Sequence, residues 1–331
     1  MRRRSLIGGA SAVALGGVLG LTRAQPLAPA MARVGVLSFG TSPTGANPDP
    51  QTGFRQGLRD LGHIEGRNVV LEYRYADGRP ERLPAFADEL LRAGVQVIVA
   101  GGPAPIEAAR AATKTVPIVA IGGVDPVRQG WVKSLAHPGG NLTGVTVTFP
   151  EMGGKLLEVL KEARPGLQRV GVLGAVDEIG SPLPSQAWVE SARALGLEMH
   201  WLAVKSHADL EPALSRAAQQ GVQGLMAIAT NLIVSSRQHL AALARQHRLP
   251  TISEFSIMTQ AGFLMSYGAN LDALGARAAS YVDKILRGAS PGDLPIERPS
   301  EFELVINRRT EAALGITLPQ AMLLRADRLI E

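Results

Sequence analysis

The sequence predicts an α/β protein of two doubly wound parallel-sheet lobes joined by a three-segment hinge. Three observations predict it: an internal repeat, short apolar runs alternating with helical patterns, and a surplus helix and strand after the second repeat. The repeat begins at Arg33-Val34-Gly35-Val36-Leu37, which recurs 136 residues later as Arg169-Val170-Gly171-Val172-Leu173. A period of this size marks a duplicated fold unit.

The elements correspond in order. GFRQGLRDLG (53–62) and QAWVESARALG (186–196) each read as an amphipathic helix closed by glycine. NVVLEYRYAD (68–77) and LEMHWLAVKS (197–206) alternate apolar and polar residues, as half-buried strands do. PERLPAFADELLRAGVQVIVAGG (80–102) parallels ADLEPALSRAAQQGVQGLMAIAT (208–230): a helix, a glycine stop, then a short apolar strand. VPIVAI (116–121) and LPTISEF (249–255) follow, and NLTGVTV (141–147) and GFLMSYG (262–268) close the halves. Each half therefore reads β-α-β-α-β-α-β-α-β. Strands alternating with helices require parallel sheets covered on both faces and joined by right-handed crossovers.

After the second half come a helical pattern, DALGARAASYVDKILRG (272–288), a proline-rich connector (290–299) and the strand-like ELVIN (303–307). These returning elements predict three crossings between lobes, near Val145–Pro150, Tyr267–Asn270 and Pro299–Asn307. Three parallel connectors make a hinge, and a hinge makes a cleft that closes. The expected division is residues 1–24 as a cleaved signal, 32–147 plus 269–299 as an N-terminal lobe, and 148–268 plus 300–331 as a C-terminal lobe.

The opening MRRRSLIGGASAVALGGVLGLTRAQPLA has a basic end, an uncharged run from Leu6 to Leu21 and small residues around Arg23. That run is shorter than the roughly 20 residues a membrane-spanning helix needs. The pattern is that of a secretory signal, with Arg3-Arg4 similar to a twin-arginine signal. A permanent anchor is the alternative. The whole chain has 34 basic and 29 acidic residues, net +5. Residues 1–24 hold four arginines and no acid, so removing them leaves 30 against 29. A near-neutral mature chain with no dense Lys/Arg run excludes nucleic acid as an expected partner. The chain has no cysteine, hence no disulfide and no cysteine for a lipid tether. The mature protein is expected to be soluble, monomeric and periplasmic.

Motifs for chemistry are missing. Gly153-Gly154-Lys155 lacks the upstream glycine and following hydroxyl of a phosphate loop, and there is no H-E-x-x-H or G-x-S-x-G. Of the six histidines, only His239 and His247 share a helical spacing, and they read as a solvent face. No catalytic residue, metal or cofactor is expected.

In open parallel sheets ligands bind beyond the carboxyl ends of the strands. The repeat identifies those loops as 38–42, 101–104 and 122–125 in the first half, and 174–177, 229–231 and 253–255 in the second. Each has a purely structural reading as well. Gly101-Gly102-Pro103 is a tight strand-to-helix turn with proline near the first helical position. Asp125-Pro126 is a cap and first-turn pair. Tyr267 and Asn270 sit at a crossing and can serve only to orient the hinge.

Three stretches carry a family resemblance: FRQGLRDLGHIEGRNVVLEYRYADGRPERLPAFADELLRAGVQVIVAGG, IVAIGGVDPVRQGWVKSLAHPGGNLTGVT and LMSYGANLDALGARAASYVDKILRGASPGDLPIERPSEFELVINRRTEAALGITLP. The combination DPV…G…SLA.PGGN.TGV with SYG…KIL.G..P.DLP resembles the ABC transporter substrate-binding proteins of the tryptophan/tyrosine type. These are similar in fold to type I periplasmic binding proteins, with two Rossmann-like lobes. The resemblance implies capture of a small molecule in the interlobe cleft, without chemistry, and delivery to a membrane permease. It implies an aromatic amino acid or related compound as ligand. Asp125 or Glu254 would then meet the ammonium, Ser38, Thr41, Thr230 and amides near Gly102 the carboxylate, and Phe39, Phe255 or Tyr267 the ring. The loop GAVDEIGSPLP (174–184) departs from the family pattern, and Asp177 or Glu178 there is expected to alter the charge preference. An exported sensing partner of a receptor, or an exported α/β enzyme, are the competing readings.

Overall fold

A computed structural model describes residues 31–43, 51–122, 125–147, 152–176, 186–299 and 301–331. The expected signal, Asp177 and Glu178 lie outside the described residues. The first half runs β1 (Ala32–Ser38), α1 (Thr52–Asp60), β2 (Val69–Tyr75), α2 (Leu83–Arg92), β3 (Val97–Gly101), α3 (Pro103–Ala112), β4 (Ile118–Ile121) and β5 (Leu142–Val145). The second runs α4 (Met152–Ala163), β6 (Arg169–Ala175), α5 (Gln186–Ala194), β7 (Glu198–Val204), α6 (Leu210–Gln219), β8 (Gly224–Ala227), α7 (Asn231–Ser235), α8 (Arg237–Gln246), β9 (Thr251–Ser253), α9 (Ser256–Gln260) and β10 (Met265–Ala269). The chain ends with α10 (Leu271–Leu286), β11 (Phe302–Asn307), α11 (Arg308–Leu314), α12 (Gln320–Arg325) and β12 (Arg328–Ile330).

The duplication is written into the strand order. The first sheet is ordered β2-β1-β3-β4-β5, all parallel, and the second contains β7-β6-β8-β9-β10 in the same succession. The repeated Arg-Val-Gly-Val-Leu segments occupy the same place, β1 and β6. Val97, Ile98, Val99 and Ala100 of β3 are buried, as are all four residues of β8. Full burial explains why these strands are apolar throughout: helices cover both faces. Each lobe packs a core on either side of its sheet. A fully buried Leu or Ile in such a core contributes about 1.5–3 kcal/mol.

Two features differ from the sequence reading. Among the described residues no helix lies between β4 and β5: residues 125–141 run as turns, bends and irregular chain, because Pro126, Pro138 and the positive-φ Gly130 and Gly139 interrupt helical geometry. And β11 pairs antiparallel to β10, with β12 parallel to β11 beyond it. The surplus strand has this direction because β10 runs toward the crossing and β11 runs away from it.

The chain passes between the sheets three times. After β5 it enters α4 on the second sheet. After β10 it returns as α10, which lies against α1 and the first sheet. After the proline-rich connector it enters β11. The first and third passages are laced together: Val145 bridges Glu297, Thr146 N–H donates to Glu297 O (2.9 Å) and Glu297 N–H donates to Gly144 O (3.0 Å). At the second, Asn270 caps α10 by accepting from Ala273 N–H (3.0 Å), while its Nδ2 donates to Glu303 of β11 (3.0 Å). Among the described residues no helix is long and apolar enough to cross a membrane.

Candidate functional site

A cavity of about 410 Å³ lies where the carboxyl ends of both sheets meet. Its first-lobe wall is Ser38, Phe39, Gly40 and Thr41 after β1, Asp77 and Gly78 after β2, Gly101–Pro103 after β3 and Ile121–Gly122 after β4. Gln51 and Phe54 of the α1 region, with Leu271, Leu274 and Gly275 of α10, form the hinge-side wall. The second lobe contributes His207, Ala229, Asn231, Val234, Ser235, Arg237, Phe255 and Ile257. Three phenylalanines and a set of aliphatic side chains make the wall largely apolar, with polar groups at intervals. This is the usual composition of a small-molecule pocket.

Close helix packing shapes the hinge-side wall. Gly53 N–H donates to Asp272 Oδ1 (3.1 Å), and a Cβ on Gly275 would lie 2.6 Å from Phe54 N. Helices α1 and α10 touch backbone to backbone there, which brings Phe54 and Leu274 to the same wall.

Five of the nine residues named from sequence stand on the cavity wall: Ser38, Phe39, Thr41, Gly102 and Phe255. Ser38 Oγ accepts from Gly40 N–H (3.2 Å), which turns the chain at the end of β1. Gly102 has φ +83° and ψ 167°, a region that is essentially glycine-only. The amides behind it are fewer than a bare helix start would offer. Gly102 N–H donates to Ile121 O (3.1 Å), and Pro103 and Pro105 carry no N–H.

The other four are placed elsewhere. Asp125 Oδ1 accepts from the N–H groups of Val127 (3.0 Å) and Arg128 (3.2 Å), so its carboxylate closes a turn. Glu254 Oε2 accepts from Ala229 N–H (2.9 Å) and Ser253 Oγ–H (3.1 Å), and burial pushes its carboxyl up from the ordinary value. Tyr267 stacks on Phe302, ring centroids 6.0 Å apart, and packs on the second-lobe core. Thr230 lies between Ala229 and Asn231 of the wall, with its hydroxyl buried and lacking a hydrogen-bond partner among the described residues.

The sequence reading missed the charged and amide groups that do line the cavity. Asp77 sits at φ 54° and accepts from Arg82. His207 Nδ1 is 2.6 Å from Ser236 Oγ. Arg237 opens α8, donates from Nη1 to Val234 O (3.0 Å), and has its guanidinium pulled below the ordinary value by burial. Its one sequence signal is the helix break at Ser236, which places the first turn of α8 beside the strand ends. No group of metal-binding side chains occurs among the described residues.

A two-lobed cleft of this geometry receives a small molecule, and comparison with known proteins agrees. The family model described as ABC transporter substrate binding protein matches residues 42–330. The chain belongs to this family. Among ABC transporter substrate-binding proteins, it is 28% identical over 264 residues to the tyrosine-binding protein of Clostridioides difficile, covering 80% of this chain and 76% of that one. It is similar to a domain solved in complex with L-Trp from Streptococcus pneumonia (25% identity, TM-score 0.80). It is also similar to a ligand-free, open substrate-binding protein with adhesive properties from Clostridium difficile (25% identity, TM-score 0.66). Both similarities cover 90% of this chain and 99% of the other. The lobes have the type I periplasmic binding protein architecture.

Proposed function

We propose that this substrate-binding protein serves an ABC importer outside the cytoplasm, closing its lobes over one aromatic amino acid or related aromatic acid. One observation carries the proposal: the cavity at the facing strand ends brings Phe39, Phe54 and Phe255 together with polar groups from both lobes. At about 410 Å³ it suits a single small molecule. The tyrosine- and tryptophan-binding relatives support the ligand class. The better fit to the tryptophan-bound relative than to the open one supports lobes drawn together, as does the approach of Asn231 to Gly102.

The working protein is a monomer freed of a signal at residues 1–24. Its lobes are 32–147 plus 269–299 and 148–268 plus 300–331, a division supported by the packing of α10 on α1 and the pairing of β11 with β10. Its partner is a membrane permease, and it binds its solute without converting it.

Thermal unfolding of protein stripped of carried ligand tests this, with amino acids, aromatic acids, sugars and nucleosides as the panel. A ligand at a hundred times its Kd adds about 2.7 kcal/mol. The expected result is a raised midpoint with an aromatic compound that is recovered unchanged at one equivalent. A shift confined to sugars or nucleosides, or conversion of the bound compound, overturns the proposal.

A further inference from the structure

His207 stands on the second-lobe wall of the cavity, and two devices fix its position. Its backbone belongs to a single tight turn, residues 207–209. There Asp209 Oδ2 accepts from the N–H groups of Lys205 (2.9 Å) and Ser206 (2.9 Å) and from the Ser206 hydroxyl (3.1 Å). Its ring is tied through Nδ1 to the buried Ser236, 2.6 Å away, at the break between α7 and α8. An exposed histidine is thus held by both its backbone and its ring.

Counting hydrogens settles which ring nitrogen carries the proton. Ser236 Oγ lies 2.7 Å from Leu232 O and 2.6 Å from His207 Nδ1, and each contact this short needs one hydrogen. Leu232 O also receives the Ser236 N–H (3.0 Å) and the Ser235 hydroxyl (2.9 Å), and a carbonyl has no hydrogen to give. The only proton on Ser236 Oγ therefore goes to Leu232 O, and the imidazole must supply the other from Nδ1. With Nδ1 protonated, Nε2 of the neutral ring is an acceptor. Ser236 is the one hydrogen-bond partner of this ring among the described residues, so Nε2 is the polar atom that His207 brings to the cavity.

We propose that His207 is a specificity-determining residue, its Nε2 accepting a hydrogen bond from an N–H or O–H donor of the bound aromatic compound. This rests on the proposed function and deepens it. An aromatic amino acid offers such a donor at the α-ammonium and, in an indole or phenol, on the ring. Phe39, Phe54 and Phe255 can receive the face of a ring without reading its polar edge. An imidazole acceptor adds that reading, because a site built to hydrogen-bond a ligand group discriminates against the analogue that lacks it.

Calorimetric titration of donor-deleted pairs tests it. The pairs are L-tryptophan against 1-methyl-L-tryptophan, L-tyrosine against O-methyl-L-tyrosine, and each amino acid against its deaminated propionate. The expected result is that deleting one donor weakens wild-type binding by about fivefold or more. His207→Phe, a ring without the acceptor, should abolish most of that penalty, whereas His207→Gln, with an amide oxygen, should keep part of it. The pair whose penalty collapses tells a ring donor from the ammonium; a clash with an added methyl would persist in both variants. Nitrogen-15 NMR reads the tautomer of the wild-type protein directly, with Nδ1 protonated, Nε2 bare and the Nε2 signal moving when ligand binds. Ser236→Ala should let the two tautomers exchange and average those signals, which loss of packing alone does not do. The wild-type spectra decide the point even where His207→Phe fails to fold. Unchanged penalties in His207→Phe for every pair, or a free-protein ring protonated at Nε2 at neutral pH, overturn the inference and leave the proposed function standing. Binding of no aromatic compound takes both down.

Discussion

Gly102 of the first lobe and Asn231 of the second meet across the cleft: a Cβ on Gly102 would stand 2.9 Å from Asn231 Oδ1. The absence of a side chain at Gly102 thus serves two ends, the φ of +83° that turns β3 into α3 and the approach of the lobes. Gly102→Ala should destabilise the unliganded protein by about 1–3 kcal/mol through backbone strain. It should also weaken ligand binding, because Asn231 must rotate away before the cleft closes. Asn231→Ala in the same chain should restore closure but not stability. Urea unfolding and calorimetric titration over the double-mutant cycle separate the two effects. Full recovery of both in the double variant would refute the backbone part of this account.

Glu254 makes stability depend on pH with a defined sign. Burial raises its folded-state carboxyl above the unfolded value. Its contribution is therefore complete below the unfolded pKa, roughly 4.3, and is lost as pH rises through the raised folded value. Glu254→Gln keeps an acceptor for Ala229 N–H and carries no charge. The variant should melt close to wild type at pH 4 and above it at pH 8. Scanning fluorimetry over that range checks this; a variant less stable than wild type at pH 8 would show the ionised carboxylate to be stabilising.

The repeat was legible because strand order follows from it: β2-β1-β3-β4-β5 reappears as β7-β6-β8-β9-β10. The wall residues Ser38, Phe39, Thr41, Gly102 and Phe255 were legible for a related reason, since the end of a parallel strand locates its loop. What the period-2 pattern does not carry is the direction of a side chain after the strand stops. Asp125, Glu254 and Tyr267 lie near strand ends, yet two of them satisfy backbone N–H groups and the third packs on Phe302. Arg237 was hidden inside an ordinary amphipathic helix, because only the break at Ser236 brings it to the cavity. The antiparallel β11 was hidden too: an apolar run has no direction until its entry point is known.

Helices α1 and α10 approach so closely that a Cβ on Gly53 would overlap the backbone of Asp272. Gly53→Ala should therefore cost about 1–3 kcal/mol through overpacking. The midpoint should fall by roughly 2–4 °C per kcal/mol. Ligand affinity should fall with it, since Phe54 and Leu274 reach the cavity from this contact. Gly140→Ala, where a Cβ would meet nothing within 4 Å, is the matched control; surface changes of that kind stay within about 0.5 kcal/mol. Equal melting of the two variants would refute the close-packing account of this wall.

Thr230 offers a test that separates stability from binding. Its hydroxyl is buried and without a hydrogen-bond partner among the described residues, although its neighbours Ala229 and Asn231 line the cavity. Burying an unsatisfied hydroxyl costs about 1–3 kcal/mol, and valine has nearly the same shape without that group. Thr230→Val should raise the unfolding free energy by up to about 1 kcal/mol, some of the gain being offset by imperfect fit of the new methyl. Because the hydroxyl oxygen is enclosed instead of facing the cavity, ligand affinity should change by less than about twofold, well under the 1.4 kcal/mol that tenfold requires. Urea unfolding and ligand titration on the same preparation give both numbers. A stabilised variant with strongly weakened binding would mean that Thr230 turns its hydroxyl to the ligand when the lobes close, and would restore it to the binding wall.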